Sequence, residues 1–201
     1  PASFNGQDTT FLYQEKITKE FIESNNLREA PILEGDERFL FANDISASGD
    51  RFGLARIKNN NWAEKGPISL SISKEALSQL NKGYLEYLFR KYIYVNRNER
   101  FFGKIPSFDN SSFYKYSAFH TILVAIGGSH ALRPHNRTFY YDPIYKSFRP
   151  IYYDGNSSIT KMIRPNVGFM YFGDKVNKDE FMGASYALEI LKKIDRNNFH
   201  S

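Results

Sequence analysis

The sequence from residue 129 to residue 158 reads SHALRPHNRTFYYDPIYKSFRPIYYDGNSS. Its segments NRTFYYD and FRPIYYD are rich in aromatic residues, which favours β-strands. Between them, Asp142 and Pro143 supply the residue types of a tight turn. The stretch therefore predicts a β-hairpin, with Asn136 just before its first strand and Asp154 just after its second.

Apolar residues at helical spacing predict three helices around this hairpin. The segment SKEALSQLNKGYLEYLFRKYIYV begins at Ser73, which we expect to be its N-cap. The apolar face of this helix carries Leu77, Leu80, Tyr84, Leu88 and Tyr92. SSFYKYSAFHTILVAIGG predicts a buried helix that Gly127 and Gly128 end, and DEFMGASYALEILKKI predicts a last helix.

The amino-terminal part of the sequence predicts a helix, a hairpin and a linker. YQEKITKEFIESNN, residues 13–26, has the spacing of a short amphipathic helix. Residues 38–42 and 51–58 have the pattern of two strands that a polar loop joins. NNNWAEKGP, residues 59–67, is polar and contains glycine and proline, so we expect a linker there and a lobe boundary at about residue 60.

The composition is that of a globular protein with an aromatic core, since 41% of the residues are hydrophobic and 16% are aromatic. The absence of cysteine excludes a disulfide scaffold and a thiolate metal site. The net charge of +5 is dispersed along the sequence, which favours anionic ligands but does not indicate nucleic acid binding. No apolar run approaches the ~20 residues of a membrane span, and the compartment and oligomeric state stay open.

Asn136 and Asp154 have the residue types and the spacing of a magnesium site for phosphoryl transfer. Mg²⁺ prefers hard oxygen ligands, and in phosphoryl transfer it neutralises the charge on the phosphate oxygens. Protein kinases use an asparagine of the catalytic loop and an aspartate that follows a pair of strands. The predicted hairpin brings Asn136 and Asp154 to the same end in the same way.

The stretch PHNRTFYYDPIYKSFRPIYYDGN resembles the core of the CotH family of atypical, protein-kinase-like proteins. In that family a His-Asn pair opens a strand, and a Pro-(Trp/Tyr)-Asp signature ends the next one. The stretch is more distantly similar to HipA-type kinases. The specific resemblance covers about thirty of the 201 residues. It implies that Asn136 and Asp154 hold Mg²⁺, that ATP binds in the cleft, and that a protein or glycan hydroxyl accepts the phosphate.

The resemblance also implies an α+β, protein-kinase-like fold of two lobes. Residues 1–60 would be the remainder of a small lobe, made of a helix and a hairpin. Residues 61–201 would form a mostly helical large lobe, with the catalytic loop and the metal-binding hairpin, residues 127–158, at the cleft. We expect the small lobe to be truncated, because the nucleotide-binding lysine of such a lobe would lie on a strand before Pro1.

The glutamate that orients this lysine has several candidates. Glu20 in the first predicted helix is the preferred one under the resemblance, and Glu23 is the second. In an alternative register Lys58 of GLARIK resembles the lysine of the Val-Ala-Ile-Lys strand of kinases. Its partner would then be Glu75 or Glu86 of the long helix.

The catalytic loop departs from the kinase pattern. The catalytic aspartate of kinases lies five positions before the metal-binding asparagine, and here that position is Ala131. The segment GGSHALRPH contains no aspartate. We expect His130 to handle the proton of the acceptor, because a histidine is competent near neutral pH. The alternatives are an acid from elsewhere in the chain, or a protein without activity: a pseudokinase or a surface-polysaccharide-associated binding module.

Other interpretations of the same residues stay open. His130, His135 and either Asp154 or Asp142 could form the metal site of a hydrolase. Arg133, Arg137 and Arg149 could bind phosphate, and of these we retain Arg137 as a candidate nucleotide ligand. Asp154 with the two residues after it could be an ordinary turn, and the pair His135-Asn136 could serve only the loop. His120 in an apolar helix is best explained as a core histidine, and Asp142 as a turn residue.

Overall fold

The predicted hairpin belongs to a four-stranded antiparallel sheet. The computed structural model describes residues 2–4, 6–9, 15–36, 54–93, 110–132, 134–157 and 178–194. A separate antiparallel pair near the start consists of β1 (Ala2–Phe4) and β2 (Gln7–Thr9). The four-stranded sheet consists of β3 (Ile32–Gly35), β4 (Ala55–Ile57), β5 (Thr138–Asp142) and β6 (Ser147–Ile151). These four strands lie in the order β4-β3-β5-β6, so the chain is α+β as expected.

The β5-β6 hairpin confirms the prediction from the sequence. Thr138 pairs with Ile151 at its open end, and Asp142 pairs with Ser147 at the turn. The carboxylate of Asp142 accepts hydrogen bonds from the backbone N–H groups of Ile144 and Tyr145, at 3.1 and 3.3 Å. Asp142 is therefore the turn residue that the sequence indicated.

The helices of the described residues surround the sheet. They are α1 (Lys19–Ser24), α2 (Asn60–Ala63), α3 (Pro67–Ile93), α4 (Asn110–Ala125) and α5 (Lys178–Lys192), with short 3-10 helices η1 (Ser129–Leu132) and η2 (Pro134–Asn136). Gly127 ends α4 as predicted, with a backbone φ of 71°. Its N–H bonds the carbonyl of Val124, and the N–H of Gly128 bonds that of Leu123, which is a Schellman cap. None of these helices is long and apolar enough to cross a membrane.

Three predictions need correction or lie outside the described residues. The long helix α3 begins at Pro67, and Ser73 is a fully buried residue inside it, so Ser73 is not its N-cap. The predicted linker, residues 59–67, contains the helix α2. The strand predicted at residues 38–42 lies outside the described residues. Within these, β4 pairs with β3, which the sequence did not predict.

Asn59 explains why the polar segment is ordered rather than a linker. Its side-chain oxygen accepts the N–H of Ile32 at 2.8 Å, and its side-chain nitrogen donates to the carbonyl of Ala30 at 2.9 Å. These two bonds fasten the beginning of β3 to the end of β4. The pairing of β3 with β5 also joins strands from both sides of residue 60 into one sheet.

The main core lies between one face of the sheet and helices α3 and α4. Aromatic and aliphatic side chains dominate it, as the composition indicated: Leu33, Ala55, Ala76, Leu80, Tyr84, Tyr116, Phe139, Tyr141 and Phe148. Each large apolar side chain buried there contributes about 1.5–3 kcal/mol. On the opposite face, α1 packs Ile22 against Ile32 and Tyr140. This packing fixes the sheet, and with it the two ends of the hairpin.

His120 of α4 is a core histidine, as expected, with 3% of its surface exposed. Burial, and secondarily the charge of Arg137, lowers the pKa of His120 from 6.5 to about 3. Between these two values the unfolded chain binds more protons than the folded one. The stability that neutral His120 contributes is therefore fully present above pH 6.5 and is lost as the pH falls towards 3.

We expect acidification from pH 7 to pH 5 to lower the free energy of unfolding by roughly 2 kcal/mol through His120. Urea unfolding at several pH values measures this loss. In His120→Gln the loss between pH 7 and pH 5 should be smaller by the same amount. An equally steep loss in the variant would assign the acid sensitivity to other groups.

Candidate functional site

The β5-β6 hairpin brings His130, Asn136 and Asp154 together at its open end. Asn136 lies two residues before Thr138, and Asp154 lies three residues after the paired Ile151. The side-chain nitrogen of Asn136 donates to the carbonyl of His130 at 3.0 Å. The Nε2 atom of His130 lies 3.3 Å from Oδ2 of Asp154. The structure therefore joins the three residues that the sequence predicted for catalysis and metal binding.

The three side chains differ in exposure. Asn136 is only 2% exposed, so its amide is fixed within the loop. The side chain of Asp154 is 54% exposed, and His130 is half-buried between the two. The Asp154 carboxylate is thus open to a ligand in solution, whereas Asn136 is buried.

The backbone around Asp154 is a tight turn of unusual conformation. Asp154 and Asn156 have positive φ values of 43° and 48°, a region in which these two residue types are better tolerated than most. A Cβ atom on Gly155 would lie 2.4 Å from the nearest ring atom of Tyr152, so only glycine fits there without displacing that ring. The turn interpretation and the functional interpretation of Asp154 are therefore compatible, since the turn fixes the direction of the carboxylate.

The donor set suits magnesium better than a transition metal. The rings of His130 and His135 lie 6.2 Å apart, edge to face. Among the described residues, however, no group of three or more His, Cys, Asp or Glu side chains could hold a metal ion. Mg²⁺ needs fewer protein ligands, because it keeps several waters and shares phosphate oxygens of the substrate. The exposed carboxylate of Asp154 is such a ligand, and the side-chain oxygen of Asn136 is of the type that Mg²⁺ prefers.

Arg137 lies in the core rather than at a surface where a nucleotide could bind. It is 3% exposed, and its Nε donates to the carbonyl of Leu132 at 2.8 Å. Its guanidinium carbon lies 5.9 Å from the ring centre of Tyr116. These contacts support a structural role for Arg137, which stabilises the loop between η1 and β5. Of the other two arginines, Arg149 pairs with Asp142 at 3.0 Å, and Arg133 lies outside the described residues.

Glu20 is an exposed residue of α1. A hydrogen bond with the Thr18 side chain holds the pKa of Glu20 below its ordinary value. Glu23 pairs with Lys19 at 3.6 Å on the same exposed surface. The contacts described for these two glutamates do not connect them to Asn136 or Asp154, so the structure does not bring the preferred glutamates to the site.

Glu34 of β3 is a glutamate that the sequence interpretation did not consider, and it is the ion-pair partner of Lys58. It is mostly buried, and it forms ion pairs with Arg56 at 2.8 Å and with Lys58. The ammonium group of Lys58 also lies 4.4 Å from the ring centre of Tyr153, the residue before Asp154. The sequence contains one signal for Glu34, since it is the single charged residue of the apolar segment PILEG. A carboxylate in such a segment is expected to be buried, and a buried carboxylate requires a cationic partner.

In the alternative register, Lys58 pairs with Glu34 and with neither of the two expected glutamates. Lys58 lies over the ring of Tyr153, next to Asp154 in the sequence, whereas Glu75 pairs with Lys146 at 3.0 Å and Glu86 with Lys82 at 4.0 Å. The site thus combines an exposed carboxylate, a histidine in contact with it and a buried asparagine that is bonded to the backbone of that histidine. No protein-family model matches the sequence, and no curated protein or solved structure is significantly similar to it.

Proposed function

We propose that this protein is a Mg²⁺/ATP-dependent phosphotransferase that acts on a protein or glycan hydroxyl. The observation that carries the proposal is the junction of His130, Asn136 and Asp154 at the open end of the β5-β6 hairpin. An asparagine before two strands and an aspartate after them are the metal-binding elements of kinase-type phosphoryl transfer. A protein-kinase-like fold is part of the proposal, without a lobe boundary at residue 60, because β3 and β5 pair in one sheet from both sides of that residue.

In this mechanism the oxygens of Asn136 and Asp154 would hold the metal ion, which would neutralise charge on the transferred phosphate. The Asn136 amide also fixes the backbone at His130, because it donates to the His130 carbonyl. The His130 imidazole accepts the proton of the acceptor hydroxyl. Its contact with Asp154 keeps the ring at the metal-binding carboxylate, where the phosphate and the acceptor must meet.

The closest alternative is a pseudokinase that binds ATP without transferring phosphate, or a binding module that associates with surface polysaccharide. Ala131 at the position of the catalytic aspartate favours it. A metal-dependent hydrolase built on His130, His135 and either Asp154 or Asp142 has less support, because no three His, Cys, Asp or Glu side chains of the described residues come together as metal ligands. ATP binding without phosphate transfer would identify the pseudokinase.

Asp154→Asn tests the proposal directly. At a Mg·ATP concentration one hundred times its dissociation constant, we expect the wild-type chain to gain about 2.7 kcal/mol of stability. For a chain of this size that corresponds to a rise in melting temperature of roughly 5–10 °C. Asp154→Asn should lose this rise, because a neutral amide binds Mg²⁺ more weakly than a carboxylate. Differential scanning fluorimetry with ATP and either Mg²⁺ or EDTA measures the shift.

Glu23→Gln provides the matched control, since Glu23 is an exposed carboxylate of α1. It should keep the full shift with Mg·ATP. An absence of any shift in the wild-type chain would contradict the proposal, and so would an equal shift in Asp154→Asn. Transfer of labelled γ-phosphate to a protein or glycan mixture then separates the active enzyme from the pseudokinase.

A further inference from the structure

Glu34, Arg56 and Lys58 form a compact charged cluster, the Glu34 triad, on strands β3 and β4 and the residue after β4. One carboxylate oxygen of Glu34 accepts hydrogen bonds from both Nε and Nη2 of Arg56, at 3.0 and 2.8 Å. The other oxygen accepts a hydrogen bond from the ammonium group of Lys58. The side chain of Glu34 is 17% exposed, and those of Arg56 and Lys58 are half-buried. The sheet therefore holds the two cations in fixed positions.

The triad has more positive charge and more hydrogen-bond donors than its carboxylate uses. Two cations share one carboxylate, which gives the three side chains a formal net charge of +1. A guanidinium group has five N–H donors and an ammonium group has three. Glu34 accepts two of the donors of Arg56 and one of Lys58, so donors remain on both side chains for a further ligand.

The position of the triad connects it to the proposed metal site. Lys58 lies over the ring of Tyr153 at 4.4 Å, and Tyr153 is followed directly by Asp154. The contact places one cation of the triad beside the turn that carries the metal-binding carboxylate. A ligand that spans both places must therefore be extended and rich in anionic oxygens.

We infer that the Glu34 triad binds the polyphosphate chain of a nucleotide, with Arg56 and Lys58 as donors and Glu34 as their shared counter-ion. The inference rests on the proposed phosphotransfer function, and it assigns the phosphate-binding role to these residues rather than to Arg137 or Glu20. Phosphate oxygens accept hydrogen bonds from both kinds of cation, and arginine binds them in a bidentate manner. When Lys58 turns towards the phosphate, Arg56 still neutralises Glu34, so no buried carboxylate is left without a cation.

Tripolyphosphate without metal is the probe, because it carries the anionic chain and lacks the base and the sugar. Isothermal titration with the full chain should give at least tenfold weaker binding in Arg56→Gln and in Lys58→Gln. Glu34→Gln should bind more tightly than the wild type, because it raises the net charge of the cluster from +1 to +2. Lys65→Gln is the matched control. It removes one positive charge from an ion pair with Glu29 of 2.6 Å, and it should change binding less than twofold.

Several results would overturn the inference. These are no tripolyphosphate binding by the wild type, equal weakening in Lys65→Gln, or weaker binding in Glu34→Gln. Circular dichroism confirms that each variant is folded, and Arg56→Lys, which keeps the charge, replaces Arg56→Gln if that variant unfolds. The experiments can contradict the phosphotransferase proposal and the polyphosphate inference independently of each other. Tripolyphosphate binding at the triad together with an unchanged Mg·ATP shift in Asp154→Asn would remove the phosphotransferase and leave the polyphosphate site.

Discussion

Replacement of His130 by glutamine is expected to slow phosphate transfer from Mg·ATP by about 10²- to 10⁴-fold. The imidazole is the proposed proton acceptor, and glutamine keeps a polar side chain of similar length without a basic nitrogen. The ring contacts Asp154 at 3.3 Å, whereas the Asn136 amide contacts only the backbone of His130. The loop should therefore keep its conformation in the variant, so Mg·ATP binding should change much less than the rate of transfer.

His135→Gln is the matched control for this experiment. His135 belongs to the same loop and lies edge to face with His130, at 6.2 Å between ring centres. The same chemical change there should leave the transfer rate within a few-fold of the wild type. Single-turnover transfer of labelled phosphate measures the rate, and the thermal shift with Mg·ATP measures binding. Equal losses of rate in the two variants would assign His130 a role in the loop instead of in proton transfer.

The hairpin could be predicted because local chemistry determines it. Aromatic residues favour strands, and an Asp-Pro pair favours a turn, whatever the rest of the chain does. Strand pairing then brings the residues before β5 and after β6 together by geometry alone. The position of Asn136 and Asp154 at the same end of the hairpin was predicted for this reason, and the helix end at Gly127 was predicted from the cap chemistry of glycine.

The strand β3 could not be predicted because its stability comes from distant residues. It has only four residues, and its partner in β5 is more than one hundred positions away, since Ile32 pairs with Tyr140. Its apolar segment is too short to distinguish a strand from a loop. Glu34 was missed together with its strand, and so was the pairing of β3 with β4 that brings Arg56 and Lys58 to Glu34.

The inward orientation of the Arg137 side chain also could not be predicted from the sequence. Arginines are mostly exposed, and a strand preceded by a loop does not reveal which face its first residue occupies. The hydrogen bond to Leu132 and the contact with Tyr116 turn the guanidinium inwards.

The prediction of an N-cap at Ser73 failed for a related reason. Serine is typical of helix ends, but a small side chain is also tolerated inside a helix that buries it.

Gly183→Ala is expected to destabilise the fold by about 3 kcal/mol, at the upper end of overpacking effects. Gly183 is a buried residue of α5 where this helix crosses α4. A Cβ atom there would lie 2.2 Å from Cβ and 2.8 Å from the carbonyl carbon of Ser117. Alanine would stabilise an exposed helix by about 1 kcal/mol relative to glycine. The steric conflict is larger than this gain, because the helices must separate.

Thermal unfolding measures this effect as a fall in melting temperature of roughly 6–12 °C for a chain of this size. Gly66→Ala is the matched control, since a Cβ atom on Gly66 meets no atom within 4 Å. Its effect should stay below about 1 kcal/mol. Addition of Ser117→Gly to Gly183→Ala should restore only part of the stability, because the backbone of Ser117 remains within 3.0 Å of the new Cβ. If Gly183→Ala were as stable as the wild type, the close crossing of α4 and α5 would be wrong.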